Sequence, residues 1–257
     1  MRRTIIAGNW KMYKTISEAI ELANGLKREL FELAEEKIDI VLCPSFTALS
    51  EVAEILFDSN IQLGAQDMHW QDEGAFTGEI SGKMLRDAGC DFVIIGHSER
   101  RQFFGETNET VNKKIKAALK YGLTPIVCVG ETLNEREKGL TFDVLKDHIY
   151  NGLKEISIQD LLKIVIAYEP VWAIGTGMTA TPAQAQEAQK YIRDLLVKLY
   201  DKETAQDLRI QYGGSVKPEN ITELMQQPDV DGALVGGASL DITSFAQIVR
   251  RASEVKK

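Results

Sequence analysis

The sequence predicts an α/β protein whose parallel strands close into a (β/α)8 barrel. Three observations carry this. Eight short apolar runs alternate with helix-length segments at a spacing of about 30 residues, the pattern of parallel strands joined by crossover helices. A chain of 257 residues with 44% hydrophobic content matches the size of one such barrel and can fill its core. No run is followed by G-x-G-x-x-G and no P-loop occurs, which counts against the rival, a doubly wound open sheet. Neither an internal repeat nor a low-complexity linker marks a boundary, so residues 1–257 are expected to form a single domain.

Residues 4–7 form the first strand, and Ala19, Ile20, Ala23, Leu26 and Leu30 after it recur at helical spacing, with Ser17 as a fair N-cap. Residues 38–43 are the second strand, closed by Pro44, and Leu49, Val52 and Leu56 mark the helix behind it. The third strand is 61–65, from which a long loop holding Gly74 and Gly78 leads to a helix at 81–88. The fourth is 92–95, with a helix at 108–121; the fifth is 124–129, with helical pattern through Leu133, Val144, Ile149 and Leu153. The sixth is 164–167, followed after a loop by a long amphipathic helix at 182–200. The seventh unit runs from 209–211 into Gly213 and Gly214, with a helix at 218–226 whose first turn suits Pro218. The eighth is 232–235, with a helix at 243–252.

A formal net charge of -8 argues against general affinity for nucleic acid or membrane surfaces, since a polyanion is repelled on average. An anionic small molecule remains compatible if positive potential is concentrated locally. Cys43, Cys90 and Cys128 are an odd number at wide spacing, with no C-x-x-C and no nearby histidines, so free thiols are the default and no metal site is indicated. No apolar run approaches the roughly 18 residues of a membrane span. Arg2 and Arg3 lead straight into a strand without a signal-peptide core, so a soluble, cytoplasmic protein is expected.

In a barrel of this kind the C-terminal strand ends gather at one mouth, where chemistry is to be sought. The mouth receives Asn9 and Lys11, Gln66, His97 and Glu99, Glu169, then Gly213, Gly214 and Ser215, and Gly236 and Gly237. A carboxylate, an imidazole, an ammonium and two glycine turns together suit proton transfer beside a carbonyl on a phosphorylated substrate. The glycine pairs let backbone N–H groups approach phosphate oxygens. Taken singly each signal is weak: a Gly-Gly after a strand is more often only a tight turn, and a lone histidine more often structural. Around Glu169 the stretch Ala-Tyr-Glu-Pro-Val-Trp-Ala-Ile-Gly-Thr-Gly is apolar for a loop, which fits a lid that excludes water from the carboxylate as well as a loop tucked against the core.

These residues are similar to those of the triosephosphate isomerase family. The resemblance rests on Gly8-Asn9-Trp10-Lys11, Gly64-Ala65-Gln66, Gly74-Ala75-Phe76-Thr77-Gly78-Glu79, Gly96-His97-Ser98-Glu99-Arg100-Arg101, Cys128-Val129-Gly130-Glu131, the stretch around Glu169, Tyr212-Gly213-Gly214-Ser215, and Val235-Gly236-Gly237-Ala238. Their order and spacing span the chain. Gly82 departs from the proline that often follows the counterpart of Ser81, which bears on a helix start and on nothing catalytic.

The resemblance implies a TIM barrel that interconverts dihydroxyacetone phosphate and D-glyceraldehyde 3-phosphate through an enediol(ate), with no metal or organic cofactor. Glu169 would be the base, His97 a neutral imidazole polarising the carbonyl, Lys11 the fixed positive charge, and Asn9 a substrate-orienting group. Glu99 would pair near Lys11. Gly175 would cap the phosphate beside Ser215, Gly236 and Gly237. Trp172 and Ile174 belong to the lid, Leu234 would oppose Ile174 across the base, and Tyr212 with Ser215 would hold the lid shut. Cys128 lies near the site and reads as a buried free thiol. Thr77 would reach into the active site of a second subunit, so a homodimer is expected. The alternatives are a phosphate-binding barrel isomerase for a larger sugar, and a catalytically silent barrel serving as a binding or scaffold protein; the second would expect Glu169, His97 or Lys11 to be replaced.

Overall fold

A strand covered on both faces needs no polar side, and this is why each run reads as continuously apolar. In the computed structural model, which describes residues 2–33, 38–174 and 178–255, the runs become β1 (Thr4–Asn9), β2 (Ile38–Cys43), β3 (Ile61–Ala65), β4 (Phe92–Ile95), β5 (Thr124–Val129), β6 (Val165–Tyr168), β7 (Arg209–Tyr212) and β8 (Gly232–Val235). They pair in parallel in chain order, and β8 returns to β1 to close the barrel. Successive side chains point to opposite faces. Ile5, Val41, Ile94, Ile126 and Val165 thus fill the interior, while Ile6, Ile40, Ile95 and Ile166 pack outward.

The outer layer is α1 (Ile16–Leu30), α2 (Leu49–Leu56), α3 (Gly82–Asp87), α4 (Ser98–Phe103), α5 (Asn108–Lys120), α6 (Leu133–Glu137), α7 (Thr141–Gly152), α8 (Ile158–Leu161), α9 (Pro182–Leu199), α10 (Lys202–Asp207), α11 (Ile221–Met225) and α12 (Ile242–Glu254). α1 turns Ala19, Leu22, Ala23, Leu26 and Leu30 inward. Each such aliphatic side chain contributes roughly 1.5–3 kcal/mol when fully buried, alanine less. Among the described residues, no helix is long and apolar enough to cross a membrane.

Three local expectations are corrected. Thr15, not Ser17, caps α1, because Thr15 N–H and hydroxyl both reach the Glu18 carboxylate in a capping box. The segment from Pro218 does not open a helix. Asn220 accepts from the Lys217 N–H and donates to the Ser215 carbonyl, which folds this stretch into a turn and delays α11 to Ile221. α4 also appears where no helix was expected, since its polar sequence carries no apolar period.

At the barrel's other end, buried Arg193 on α9 bonds Asp229 at 2.6 Å and Asp231 at 2.8 Å, and donates to the carbonyls of Ala205 and Leu208. Removing Arg193 takes the shared cation from Asp229 and Asp231, leaving them Gln186 and Arg2, and deprives the Ala205 and Leu208 carbonyls of their buried donor. Arg193→Met is therefore expected to lower unfolding stability by about 3–5 kcal/mol. Urea titration followed by circular dichroism checks this, and a loss under 1 kcal/mol, small for a cluster of this kind, refutes it.

Candidate active site

Glu169 follows the last residue of β6, and its N–H donates to the Val129 carbonyl at 2.8 Å, extending the β5–β6 ladder by one bond. Pro170 then ends the strand. Gly130 permits this approach, because a Cβ there would lie 1.7 Å from the Glu169 carbonyl oxygen. Glu169 is 2% exposed. One oxygen meets His97 Nε2 at 2.9 Å, and the other accepts from the Ser98 N–H at 3.0 Å. Burial raises its proton affinity, and hydrogen bonds from the His97 Nε2–H and the Ser98 N–H, with the Lys11 ammonium behind them, pull it back down.

His97 caps α4 from the end of β4, and its Nδ1 accepts the Glu99 N–H at 3.2 Å. Two influences oppose each other on this ring. Burial disfavours the imidazolium, yet the adjacent Glu169 carboxylate favours it by more, and Glu99 adds to the pull. Against this, the Glu99 N–H already occupies the position a second ring proton would need. An imidazolium would set N–H against N–H, so the hydrogen bonds select the neutral tautomer with its proton on Nε2, directed at Glu169.

Lys11 stands on the loop after β1 with φ 53°, a left-handed conformation costing on the order of 1 kcal/mol in a residue with a Cβ. Its N–H donates to Asn9 Oδ1 at 3.0 Å, and its carbonyl accepts from Gln66 at 2.9 Å. The ammonium meets Glu99 Oε1 at 2.6 Å. Gly236 brings bare backbone to the same place, since a Cβ there would lie 3.5 Å from Lys11 Cε.

Asn9, Lys11, His97, Glu169, Ile174 and Leu234 border one cleft of about 680 Å³, together with Gly213, Gly214, Ser215, Gly236 and Gly237. It sets an ionised carboxylate and an N–H donor against an ammonium and glycine backbone. Such a cleft can take a proton from carbon next to a carbonyl on a small anion.

Residues 4–252 match the family model described as triosephosphate isomerase. The chain belongs to the triosephosphate isomerase family. It is 60% identical to the triosephosphate isomerase of Geotalea uraniireducens over 252 residues, which cover 97% of this chain and 99% of that one. It is 57% identical to that of Carboxydothermus hydrogenoformans over 252 residues, at 97% and 99% coverage. It is also 59% identical to that of Moorella thermoacetica over 249 residues, at 97% and 98%.

As a triosephosphate isomerase family member, the chain carries a loop after Glu169 whose root is well tied. Val171–Ala173 form a 3₁₀ turn, and Trp172 Nε1 donates to Glu131 at 2.9 Å. Glu131 is fully buried at the end of β5 and also receives the Tyr168 hydroxyl at 3.1 Å and Arg136 at 3.1 Å. The sequence offered Glu131 only within the motif Cys128-Val129-Gly130-Glu131, with no role attached, because its partners Tyr168 and Trp172 lie far along the chain. Glu99, Cys128, Trp172 and Ile174 border a second cleft, which also touches Glu169. The Cys128 thiol is pushed well above its ordinary pKa by burial and by the Glu169 carboxylate, which keeps it unreactive. Burial lifts Tyr212 to about 12, while the Ala180 backbone N–H, at the far end of the loop that follows Glu169, acts on its hydroxyl in the opposite direction. Thr77 is exposed and borders neither cleft. Gly175 lies outside the described residues.

Proposed function

We propose that this chain is a triose-phosphate isomerase, interconverting dihydroxyacetone phosphate and D-glyceraldehyde 3-phosphate in glycolysis and gluconeogenesis. The observation that carries the reading is the buried Glu169 carboxylate facing the His97 Nε2–H at 2.9 Å across a cleft that also holds Lys11. Substrate entering between them would exchange that bond for two new ones. Glu169 would take a proton from C1 while His97 donates a hydrogen bond to the carbonyl oxygen, and the negative charge would develop on that oxygen beside Lys11. Transfer of a proton from O1 to O2, beside the His97 ring, and return of the carbon proton to C2 then give the aldehyde and restore the carboxylate. A carboxylate base working with a neutral histidine is the established arrangement of this family. Ser215, Gly236 and Gly237, with Gly175 from the lid, would hold the phosphate, and Asn9 would orient the substrate. No cofactor is needed, because only protons move.

The test is a coupled assay with dihydroxyacetone phosphate, with and without phosphoglycolate as an enediolate mimic. Turnover blocked competitively by the mimic supports the reading; no turnover by the folded protein overturns it and favours a silent barrel.

We also propose a homodimer in the cytoplasm. Met12 is 95% exposed, and Tyr13, Phe46, Phe76, Met84 and Phe104 are exposed too, an apolar burden that a partner would cover. In that assembly Thr77 would reach the partner's Asn9 and Lys11 loop. Sedimentation is expected to give a dimer, and a fully active monomer would contradict it. Three buried free thiols suit a reducing compartment.

A further inference from the structure

We propose that Lys114, outside the barrel on α5, is a positioning residue for the catalytic ends of β3 and β4, acting through charge balance in a buried quartet. This rests on the isomerase reading above. The Lys114 ammonium bonds Asp67 Oδ1 at 2.7 Å and Glu106 Oε2 at 2.8 Å, and all three residues are buried. Arg100 closes the set, meeting Asp67 Oδ2 at 2.8 Å and Glu106 Oε2 at 3.1 Å. Two cations therefore face two carboxylates.

Each carboxylate is tied to a catalytic turn. The second oxygen of Glu106 accepts the Gly96 N–H at 2.9 Å, in the residue just before His97. Gly96 has φ 75°, and a Cβ there would crowd Val111 and the Cys128 carbonyl, so this turn requires glycine and Glu106 holds one side of it. Arg101 holds the other by donating to the Gly96 carbonyl at 3.0 Å. Asp67 directly follows Gln66, which donates to the carbonyls of Lys11 and Cys43.

With Lys114 removed, two buried carboxylates share Arg100 alone. Burial already raises the Asp67 pKa, against the pull of Lys114 and Arg100. The pair would repel or take up a proton, and either change loosens the bonds that fix Gly96. A shift near 1 Å at His97 is enough to cost catalysis heavily.

The experiment compares Lys114→Met with Lys114→Met/Asp67→Asn, which restores one cation to one carboxylate. Lys114→Met is expected to lose roughly tenfold or more in kcat with a smaller change in KM, and to shift the His97 Nε2 proton resonance in the phosphoglycolate complex. The double variant is expected to recover most of both. Lys114 serving only as packing predicts no recovery, since the same methionine replaces its stem in both variants. Should Lys114→Met fail to fold, the balanced double variant is compared with Asp67→Asn instead, and near-parental kcat and resonance in the double variant support the proposal. Unchanged kcat and His97 resonance in folded Lys114→Met, or a folded double variant as impaired as the single, overturns it. An inactive parent protein would refute the isomerase reading instead, leaving the His97 resonance to judge this one.

Discussion

Glu169→Gln is expected to keep the fold and lose kcat by about 10³-fold or more, close to 4 kcal/mol in the barrier, with KM changed only a few-fold. The amide preserves shape but has almost no affinity for a carbon-bound proton. It also presents one acceptor where the carboxylate presents two, and both the His97 Nε2–H and the Ser98 N–H need one. One donor is left facing an NH₂ group, so a stability loss of about 1–3 kcal/mol should accompany the loss of activity. Glu169→Asp retains the charge but withdraws it by roughly 1 Å, and should fall between the two. Near-normal turnover in the glutamine variant would remove Glu169 from the mechanism. The pH dependence follows from the same geometry. Hydrogen bonds from the His97 Nε2–H and the Ser98 N–H favour the ionised form of Glu169 against its burial, so activity is lost as pH falls through the pKa of this carboxylate. The acid limb of kcat/KM, once corrected for the substrate phosphate ionising near pH 6, should move to higher pH in His97→Ala, where burial acts with one donor fewer to oppose it. An unmoved limb in that variant would mean that the His97 contact does not govern this carboxylate.

Burial on both faces made the strands legible: β2, β3, β4, β5 and β8 begin and end where the apolar runs do. Glycine and proline marked the mouth for a similar reason, since backbone constraint is written in single residues. Electrostatic partners were less visible, because carboxylates in buried clusters are recruited from distant segments. Glu131 gathers Tyr168 and Trp172, and Glu106 gathers Gly96 and Lys114, with no shared period. Lys114 did leave a trace. It lies on the stripe of Val111, Ile115 and Ala118, where a helix facing the barrel would carry an apolar residue. A lysine there requires a buried acid, and that was the available clue. α4 left none: its start is set by the His97 cap, and its sequence reads as a solvated turn.

Deleting residues 174–177 is expected to turn the protein from an isomerase into a source of inorganic phosphate. The deletion spares the root of the lid, because Trp172, Tyr168 and Arg136 remain on Glu131 and the Val171 N–H still reaches the Glu131 carbonyl at 3.1 Å. What it removes is Ile174, which borders the same cleft as Glu169 and Leu234, together with the backbone proposed to cap the phosphate. Proton abstraction needs only Glu169, His97 and Lys11, so the enediolate still forms, though more slowly with water at the carboxylate. Its fate then changes. The enediolate electron pair can expel phosphate by breaking the C–O bond, and the enol left behind rearranges to methylglyoxal. In-plane restraint of the phosphate by a closed lid opposes that cleavage, and a lid too short to close cannot supply it. The ratio of inorganic phosphate to glyceraldehyde 3-phosphate, measured in single turnovers, should rise by at least tenfold while kcat falls. If the ratio stays at its parental value, the loop does not protect the intermediate, and its apolar residues serve only to pack the Glu131 side of the barrel.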